Sequence, residues 1–420
     1  MEHPASSSLN RIPRLITPRY VLIGLVVAGL SAVVLFPRIL MLLGLPDYGH
    51  WFLDSYAVLA ANDAVRAGMN PYAANPLDAL MRSHVYSDWW LLLGRLGLTR
   101  EHNFYFGGVC VLGFLIIALI ANKPRSYVEA LCTAALLLSP PMLLAINRAN
   151  NDLIIFILLG SGLMPQRSNG GGWARAWLGL MIVLGTGLKY YPVVGVLVFA
   201  LIGRPLRHWL GTGLLTVLAA MAVLWLERTE IVRAMFRLPG SLYVFGARVW
   251  WSNWNMEGEW LTLANLLLLA TGALFLAWRG WTKGLADGPP ETFRARLTFA
   301  LGALLLAGCF LIGSSYAYRW IFALWLWPWL SLQIRTGSRA ACWSLAFLVV
   351  ALWGDGAYCF VTNIRWIALQ PTGEMFCLQA MQASHWLLMA LLTGWLMEAL
   401  VAAVRALRKP TDRPGNSVTA

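Results

Sequence analysis

Long apolar runs, broken by charged residues or by proline and glycine clusters, dominate this chain. Most approach the 20 or so residues that a helix needs to cross a bilayer core of about 30 Å. They predict spans near residues 20–43, 104–121, 128–146, 151–164, 173–187, 190–203, 208–226, 259–278, 296–313, 319–334, 340–358 and 384–404. The pattern is that of an all-α, polytopic membrane protein with about twelve transmembrane helices. A single membrane domain over 20–404 lies between an N-terminal tail, 1–19, and a C-terminal tail, 405–420. The runs at 151–164, 173–187 and 190–203 are short, which leaves two readings open: full spans, or half-helices packed inside the protein.

Three intervening segments are long, 44–103, 227–258 and 354–383. In the first, the amphipathic run from Phe52 to Ala67 and the aromatic run from Trp89 to Leu98 predict helices lying along the membrane surface. Gly68, Asn70-Pro71-Tyr72 and Asn75-Pro76 mark a turn-rich linker between them.

Composition narrows the class. The chain of 420 residues is 59% apolar and only 12% charged, which excludes a soluble enzyme, a disordered chain and a repeat solenoid. A net charge of +13 raises nucleic acid as a partner, but the bases are dispersed between spans and form no patch in the sequence. With Arg11, Arg14 and Arg19 set on the cytoplasmic side, every second loop is basic. The inner side then holds 19 bases and six acids, and the outer side 13 of each. The excess charge therefore sets topology and excludes nucleic-acid binding as its cause. This predicts a multi-pass protein of the inner (plasma) membrane with both termini cytoplasmic and the long segments outside. The first run is too long for the apolar part of a cleavable signal peptide and reads as a signal anchor.

Trp250, Trp251 and Trp254, with Trp320, Trp325, Trp327 and Trp329, fit an interfacial aromatic belt, or a groove in which a few rings meet a sugar or an isoprenoid chain. Five cysteines, Cys110, Cys132, Cys309, Cys342 and Cys359, lie in or at the ends of spans as free thiols. Only Cys359 and Cys377 are placed to meet outside, and no spacing rule demands that they pair. No CxxC, HExxH or DxD pattern occurs, and the glycines at 170–172 lack the lysine of a phosphate loop. Neither a metal site nor a nucleotide site is indicated.

Ionisable side chains at the rims of spans are costly unless they face a protein cavity, so they are the candidate functional groups. They are Asp54 in HWFLDSY, Arg148 and Asp152 in NRANND, Lys189 in GLKYYP and Arg319 in SSYAYRW, all toward the outer side. Each also has a plain structural use. Asp54 caps a helix, with His50 four residues before it on the same face, or acts as a general base. Arg148 and Asp152 form an intrahelical pair, Lys189 snorkels, and Arg319 anchors a helix, or the three cations hold a phosphate.

At these residues the chain resembles the GT-C superfamily of membrane glycosyltransferases, and within it glycosyltransferase family 87. The matching pieces are LDSYAVLAANDAVRAGMNPY at 53–72, NRANNDLIIFILL at 147–159, LGTGLKYYPVV at 184–194 and YRWIFALWLWP at 318–328. The resemblance implies a GT-C-like fold and transfer of a monosaccharide, mannose in the family's pattern, from a polyprenyl-phosphate donor on the outer face. The acceptor is a hydroxyl of a cell-envelope glycan or glycolipid, and transfer is inverting, without metal or cofactor. Asp54 aligns with the family's base, and Lys189, Arg319 and Arg148 match positions for the donor phosphate, with His50, Tyr56, Asn151, Asp152 and Tyr190 in support. The chain departs from the better-known mannosyltransferases at 148–152, where they carry a Gly-Gln-x-Asn pattern. A secondary transporter or lipid flippase is the competing class, since rim charges and short broken spans occur there too. A non-catalytic membrane scaffold is the third.

Overall fold

The computed structural model describes residues 17–45, 49–168, 171–202, 206–234, 243–252, 254, 256, 258–286, 288–312, 314–363 and 371–408. The tails carrying Arg11, Arg14, Lys409 and Arg413 lie outside the described residues, as do parts of the long segments 227–258 and 354–383.

The chain runs through α1 (Pro18–Leu35), α2 (Arg38–Leu42), α3 (Leu53–Arg66), α4 (Asn103–Ala121), α5 (Tyr127–Leu137) and α6 (Pro140–Arg148). It continues through α7 (Asp152–Leu163), α8 (Gly172–Lys189), α9 (Val198–Leu201), α10 (Leu206–Leu226), α11 (Arg228–Ala234) and α12 (Ala247–Ser252). The last helices are α13 (Trp260–Trp278), α14 (Phe293–Ile312), α15 (Trp327–Arg335), α16 (Arg339–Asn363) and α17 (Pro371–Arg408). Tight 3-10 turns occupy Asp88–Leu96, Tyr191–Leu197 and Ala317–Trp325. Two short strands, β1 (Val244–Phe245) and β2 (Ser315–Tyr316), pair antiparallel with Val244 opposite Tyr316. This is an all-α multi-pass membrane architecture.

Among the described residues, seven helices are long and apolar enough to cross a membrane, or eight if α5 and α6 count as one span bent by 54°. The expectation from the sequence is about twelve, and the reason for the difference varies by region. The run predicted at 128–146 bends where Ser139 and Pro140 interrupt it, because a proline fits only the first turn of a new helix. The run at 20–43 ends α1 at Leu35, just before Pro37. The runs at 151–164 and 190–203 are short pieces inside the protein: Leu153, Ile155, Phe156 and Leu159 of α7 are fully buried. The run at 319–334 is a 3-10 segment followed by the short α15.

That last segment also corrects the reading of its tryptophans as a belt. Trp320, Trp325, Trp327 and Trp329 are all buried, Trp325 stacking on Phe156 at 4.5 Å and Trp320 meeting Phe245 edge to face at 4.8 Å. They pack against α14, the central helix, whose apolar window is 78% buried where that of α1 is 17%. Close approach depends on Gly302, where any Cβ would lie 3.0 Å from the Phe322 carbonyl oxygen. A helix that is apolar on all sides suits such a core as well as it suits lipid, so hydropathy alone does not separate the two.

The segment 44–103 holds α3 as expected, but α3 packs into the protein with Leu53, Val58, Leu59 and Ala61 buried, and the run expected as a surface helix over Trp89–Leu98 is a 3-10 turn over Asp88–Leu96. It is pinned to the end of α8. Trp90 Nε1 donates to the Leu188 carbonyl at 3.0 Å, and the Trp89 ring lies so close to Gly187 that a Cβ there would be 2.4 Å away. The third long segment, predicted over 354–383, is instead helical over 354–363 in α16 and over 371–383 in α17. All six cysteines are free, so Cys359 and Cys377 do not pair.

Candidate functional site

Helix α6 ends at Arg148 in a Schellman-type reversal. Ala149 adopts the left-handed conformation (φ 41°, ψ 54°), its N–H donating to Ile146 O at 3.0 Å and that of Asn150 to Ala145 O at 3.0 Å. Glycine usually fills this position; alanine accepts the strain here. The reversal separates Arg148 from Asp152, which opens α7, so the expected intrahelical pair does not form. Each residue faces a different partner.

Arg148 meets Asp54. Its Nη2 donates to Asp54 Oδ1 at 2.6 Å and its Nε to Oδ2 at 3.0 Å, the two-pronged arrangement that guanidinium and carboxylate planes favour. Asn150 Nδ2 donates to Oδ2 at 2.6 Å, and Arg82 Nη1 to Oδ1 at 3.2 Å. Asp54 stands in the first turn of α3, which docks on the end of α6 through Phe52 N–H to the Asn147 carbonyl, at 2.7 Å. Phe52 itself is left-handed (φ 64°), turning the chain so that α3 enters with Asp54 inward. Arg82 is braced by Asp78, whose Oδ2 accepts from the Arg82 backbone N–H at 3.0 Å and from its Nε at 2.9 Å. Burial alone pushes the Asp54 carboxyl up, but the charge and hydrogen bonds of Arg148, then Asn150 and Arg82, hold it below the usual carboxylate value.

Asp152 is the second carboxylate, with no exposed surface. Lys189 Nζ donates to its Oδ1 at 2.7 Å, as does the Tyr191 hydroxyl at 2.7 Å, and Arg319 Nε lies 3.4 Å from Oδ2. The Arg319 guanidinium lies over the Tyr191 ring at 4.1 Å, and the Lys189 ammonium lies over the rings of Tyr86 and Tyr318 at 5.6 and 5.4 Å. Tyr190 carries a further positive φ of 40°, which reverses the chain between Lys189 at the end of α8 and the 3-10 turn that brings Tyr191 back.

Asn150 joins the two centres. While its amide nitrogen holds Asp54, its Oδ1 accepts from the Asp152 backbone N–H at 2.9 Å and from Lys189 Nζ at 3.3 Å. Three carboxylates, Asp54, Asp78 and Asp152, thus face four cations, Arg82, Arg148, Lys189 and Arg319, leaving one positive charge in excess. Four of the five non-glycine residues with positive φ among those described, Phe52, Met81, Ala149 and Tyr190, lie within two residues of a member of this cluster. Strain of that kind persists where surroundings over-determine a conformation, often at functional sites.

Asp54, Arg148, Asp152, Lys189 and Arg319 are therefore brought together as the sequence leads one to expect. Asn151 is beside them, 1% exposed, with neither end of its amide hydrogen-bonded. Tyr190 is adjacent and half-buried, its hydroxyl also unpartnered. His50 does not share a helical face with Asp54, because α3 begins only at Leu53 and His50 is exposed before it. Tyr56 lies half-buried on α3, without a side-chain hydrogen bond among the described residues. Sequence reasoning missed Asn150, Arg82, Asp78 and Tyr191. Asn150 was visible inside NRANND, and its signal was adjacency to two charged residues; Arg82 lies in a polar loop where an arginine draws no notice.

Chemically, this is a buried, preorganised array in which a carboxylate and several fixed cations share one space, suited to an anionic ligand whose reaction passes a proton to a carboxylate. No family model, no curated protein and no solved structure matches the chain.

Proposed function

We propose that the chain is an outer-face membrane glycosyltransferase of the GT-C type, taking a monosaccharide from a polyprenyl-phosphate donor to a hydroxyl of a cell-envelope glycan or glycolipid. The observation that carries this reading is the meeting of Asp54 with Arg148 and Arg82 at one end of the helix bundle, beside a second, internally balanced cluster on Asp152. A lipid-linked sugar phosphate needs an acceptor-side base and donor-side cations within one reach, and four separated chain segments supply them.

In the reaction, the acceptor O–H gives its proton to Asp54, its oxygen bonds the anomeric carbon, and the bond from that carbon to the phosphate oxygen breaks with its electron pair leaving on polyprenyl phosphate. Arg148 and Arg82, with 14% and 26% exposed side-chain surface, are the two cations that hold Asp54 itself, and they take the phosphate. Their departure from Asp54 removes the interactions that depress its basicity, so donor binding arms the base. Lys189 and Arg319 are engaged by Asp152 and act on the phosphate through the field of the cluster, which is positive overall. The test is transfer of labelled sugar from polyprenyl-phosphate donors in membranes holding wild type or Asp54→Asn. Loss of transfer in a folded variant is expected; normal transfer overturns the reading.

A transporter is the second reading, supported by the buried Lys189–Asp152 pair at the junction of α7, α8 and a broken helical segment. It expects counterflow of the sugar lipid across vesicles with no new glycosidic product.

A further inference from the structure

The bundle has a second, chemically different end. Helix α4 begins at Asn103, whose side-chain oxygen accepts from Ser55 Oγ at 2.6 Å beside Asp54, and it ends at Ala121 about 28 Å away at 1.5 Å per residue. Helix α7 runs from Asp152 toward Gln166, and α14, which leads through β2 to Arg319, starts at Phe293, about 30 Å from its far end. The distal ends of these helices, with α15, enclose a cleft of about 670 Å³, within the size range of small-ligand sites.

Its rim is basic. Lys123, Arg125, Arg167, Arg294 and Arg335 line it, against two acids, Glu129 and Glu291. Glu129 is already engaged, its Oε2 accepting the Arg125 backbone N–H at 2.7 Å and its Oε1 lying 3.5 Å from Arg335. Lys123, Arg125, Arg167 and Arg294 have no ion-pair partner among the described residues. The floor is different. Asn122 and Gln166 are 3% and 1% exposed, and their amide nitrogens are committed to backbone carbonyls: Asn122 Nδ2 to Ala118 at 2.9 Å, Gln166 Nε2 to Gly162 at 2.9 Å and to Ala174 at 2.5 Å. Asn122 Oδ1 and Gln166 Oε1 are left buried with no partner. An unsatisfied buried acceptor is costly, and only a donor can satisfy it.

We propose that this cleft binds a phosphate ester carrying free hydroxyls, with its phosphate on the basic rim and its hydroxyls donating to Asn122 Oδ1 and Gln166 Oε1. By the positive-inside distribution the cleft faces the cytoplasm, where an anionic lipid headgroup of the phosphatidylglycerol kind and a soluble polyol phosphate both present this chemistry. The assignment does not depend on the glycosyltransferase reading, because it uses none of that site's residues.

The purified, delipidated full chain is incubated in mixed micelles with phosphatidylglycerol, phosphatidylcholine or phosphatidylmethanol, which carries the same charge as the first without hydroxyls, and retained lipid is measured by mass spectrometry. Phosphatidylglycerol is expected to be retained above phosphatidylcholine, and about tenfold above phosphatidylmethanol for two hydrogen bonds. Arg125→Gln with Arg294→Gln, both exposed and remote from the Asp54 site, is expected to lower that retention about thirtyfold. The pair Arg279→Gln and Lys283→Gln, exposed on the same end but outside the cleft, is expected to leave it unchanged. Competition by millimolar glycerol 1-phosphate assigns the soluble source, and undiminished lipid retention assigns the headgroup. Equal retention of the three lipids with no glycerol phosphate binding, or equal loss in both double variants, overturns the proposal.

Discussion

Asp54 and Asp152 are two carboxylates in one cluster, joined by a single amide, yet their surroundings differ in kind. Asp54 is held by Arg148 and Arg82, which reach it from segments with some exposed surface. Asp152, with no exposed surface, is held by Lys189, 8% exposed, by a tyrosine inside the protein and by Arg319, 16% exposed. The first arrangement is exchangeable, since its cations have somewhere else to go, toward water or toward a ligand phosphate. The second centres on a carboxylate with no exposed surface, and breaking it strands a charge. A buried ion pair adds little net stability over an apolar replacement, but removing one member is severe. The comparison therefore assigns work to Asp54 and positioning to Asp152.

The most forceful way to break that division is to neutralise each acid in turn. Asp54→Asn is expected to lower sugar transfer by roughly a hundredfold to ten-thousandfold, the range of a lost general base, while the protein still folds and elutes as wild type does and loses less stability than the Asp152 variant below. If transfer survives, Asp54 does no proton chemistry. Asp152→Asn is expected to cost about 3–5 kcal/mol of stability, read as a lowered melting midpoint in detergent, because Lys189 and Arg319 are left without their counter-ion. Adding Lys189→Met to that variant should recover part of the loss; a simple sum of the two single effects would mean the pair is not coupled.

A subtler substitution sharpens the role of Arg148. Arg148→Lys keeps the charge and loses the two-pronged bond to Asp54, so donor KM is expected to rise about tenfold with kcat less affected. An unchanged KM would place the phosphate elsewhere. The smallest effect concerns pH. Asp54 and Asp78 titrate below their ordinary value of 3.8 in the folded protein, so the stability they contribute is complete above that value and is lost only as pH falls through the lower folded values. Melting midpoints are expected to stay level from neutral pH to about 5 as far as these two groups are concerned, and a rise on acidification over that range that Asp54→Asn abolishes would show the sign to be wrong.

Much of the cluster is legible in the sequence, for a physical reason: in an apolar sequence an ionisable residue at a span rim has few places to be, and Asp54, Arg148, Asp152, Lys189 and Arg319 do converge. Who pairs with whom was not legible. Spacing of four puts Arg148 and Asp152 on one helical face, and a left-handed alanine, which no propensity scale favours, separates them. Helical content was legible from apolar runs, whereas the span count was not. Trp320 and Trp325 score like lipid-facing residues although they fill the core against α14, and the polar stretch around Gln379 and Gln382 lies within the long α17.

The turn at Ala149 also sets what insertions and deletions the chain can bear. Between the last residue of α6 and the first of α7 there are only three residues, and each helical step rotates a side chain by about 100°. Removing or adding one residue there would swing Asp152 away from Lys189 and Tyr191 while leaving the apolar character of α7 intact. Such a chain would still suit a membrane, and it would have lost the register between its two charged centres. Length at this point is therefore held by the chemistry of the cluster, and side-chain identity along the rest of α7 by packing alone.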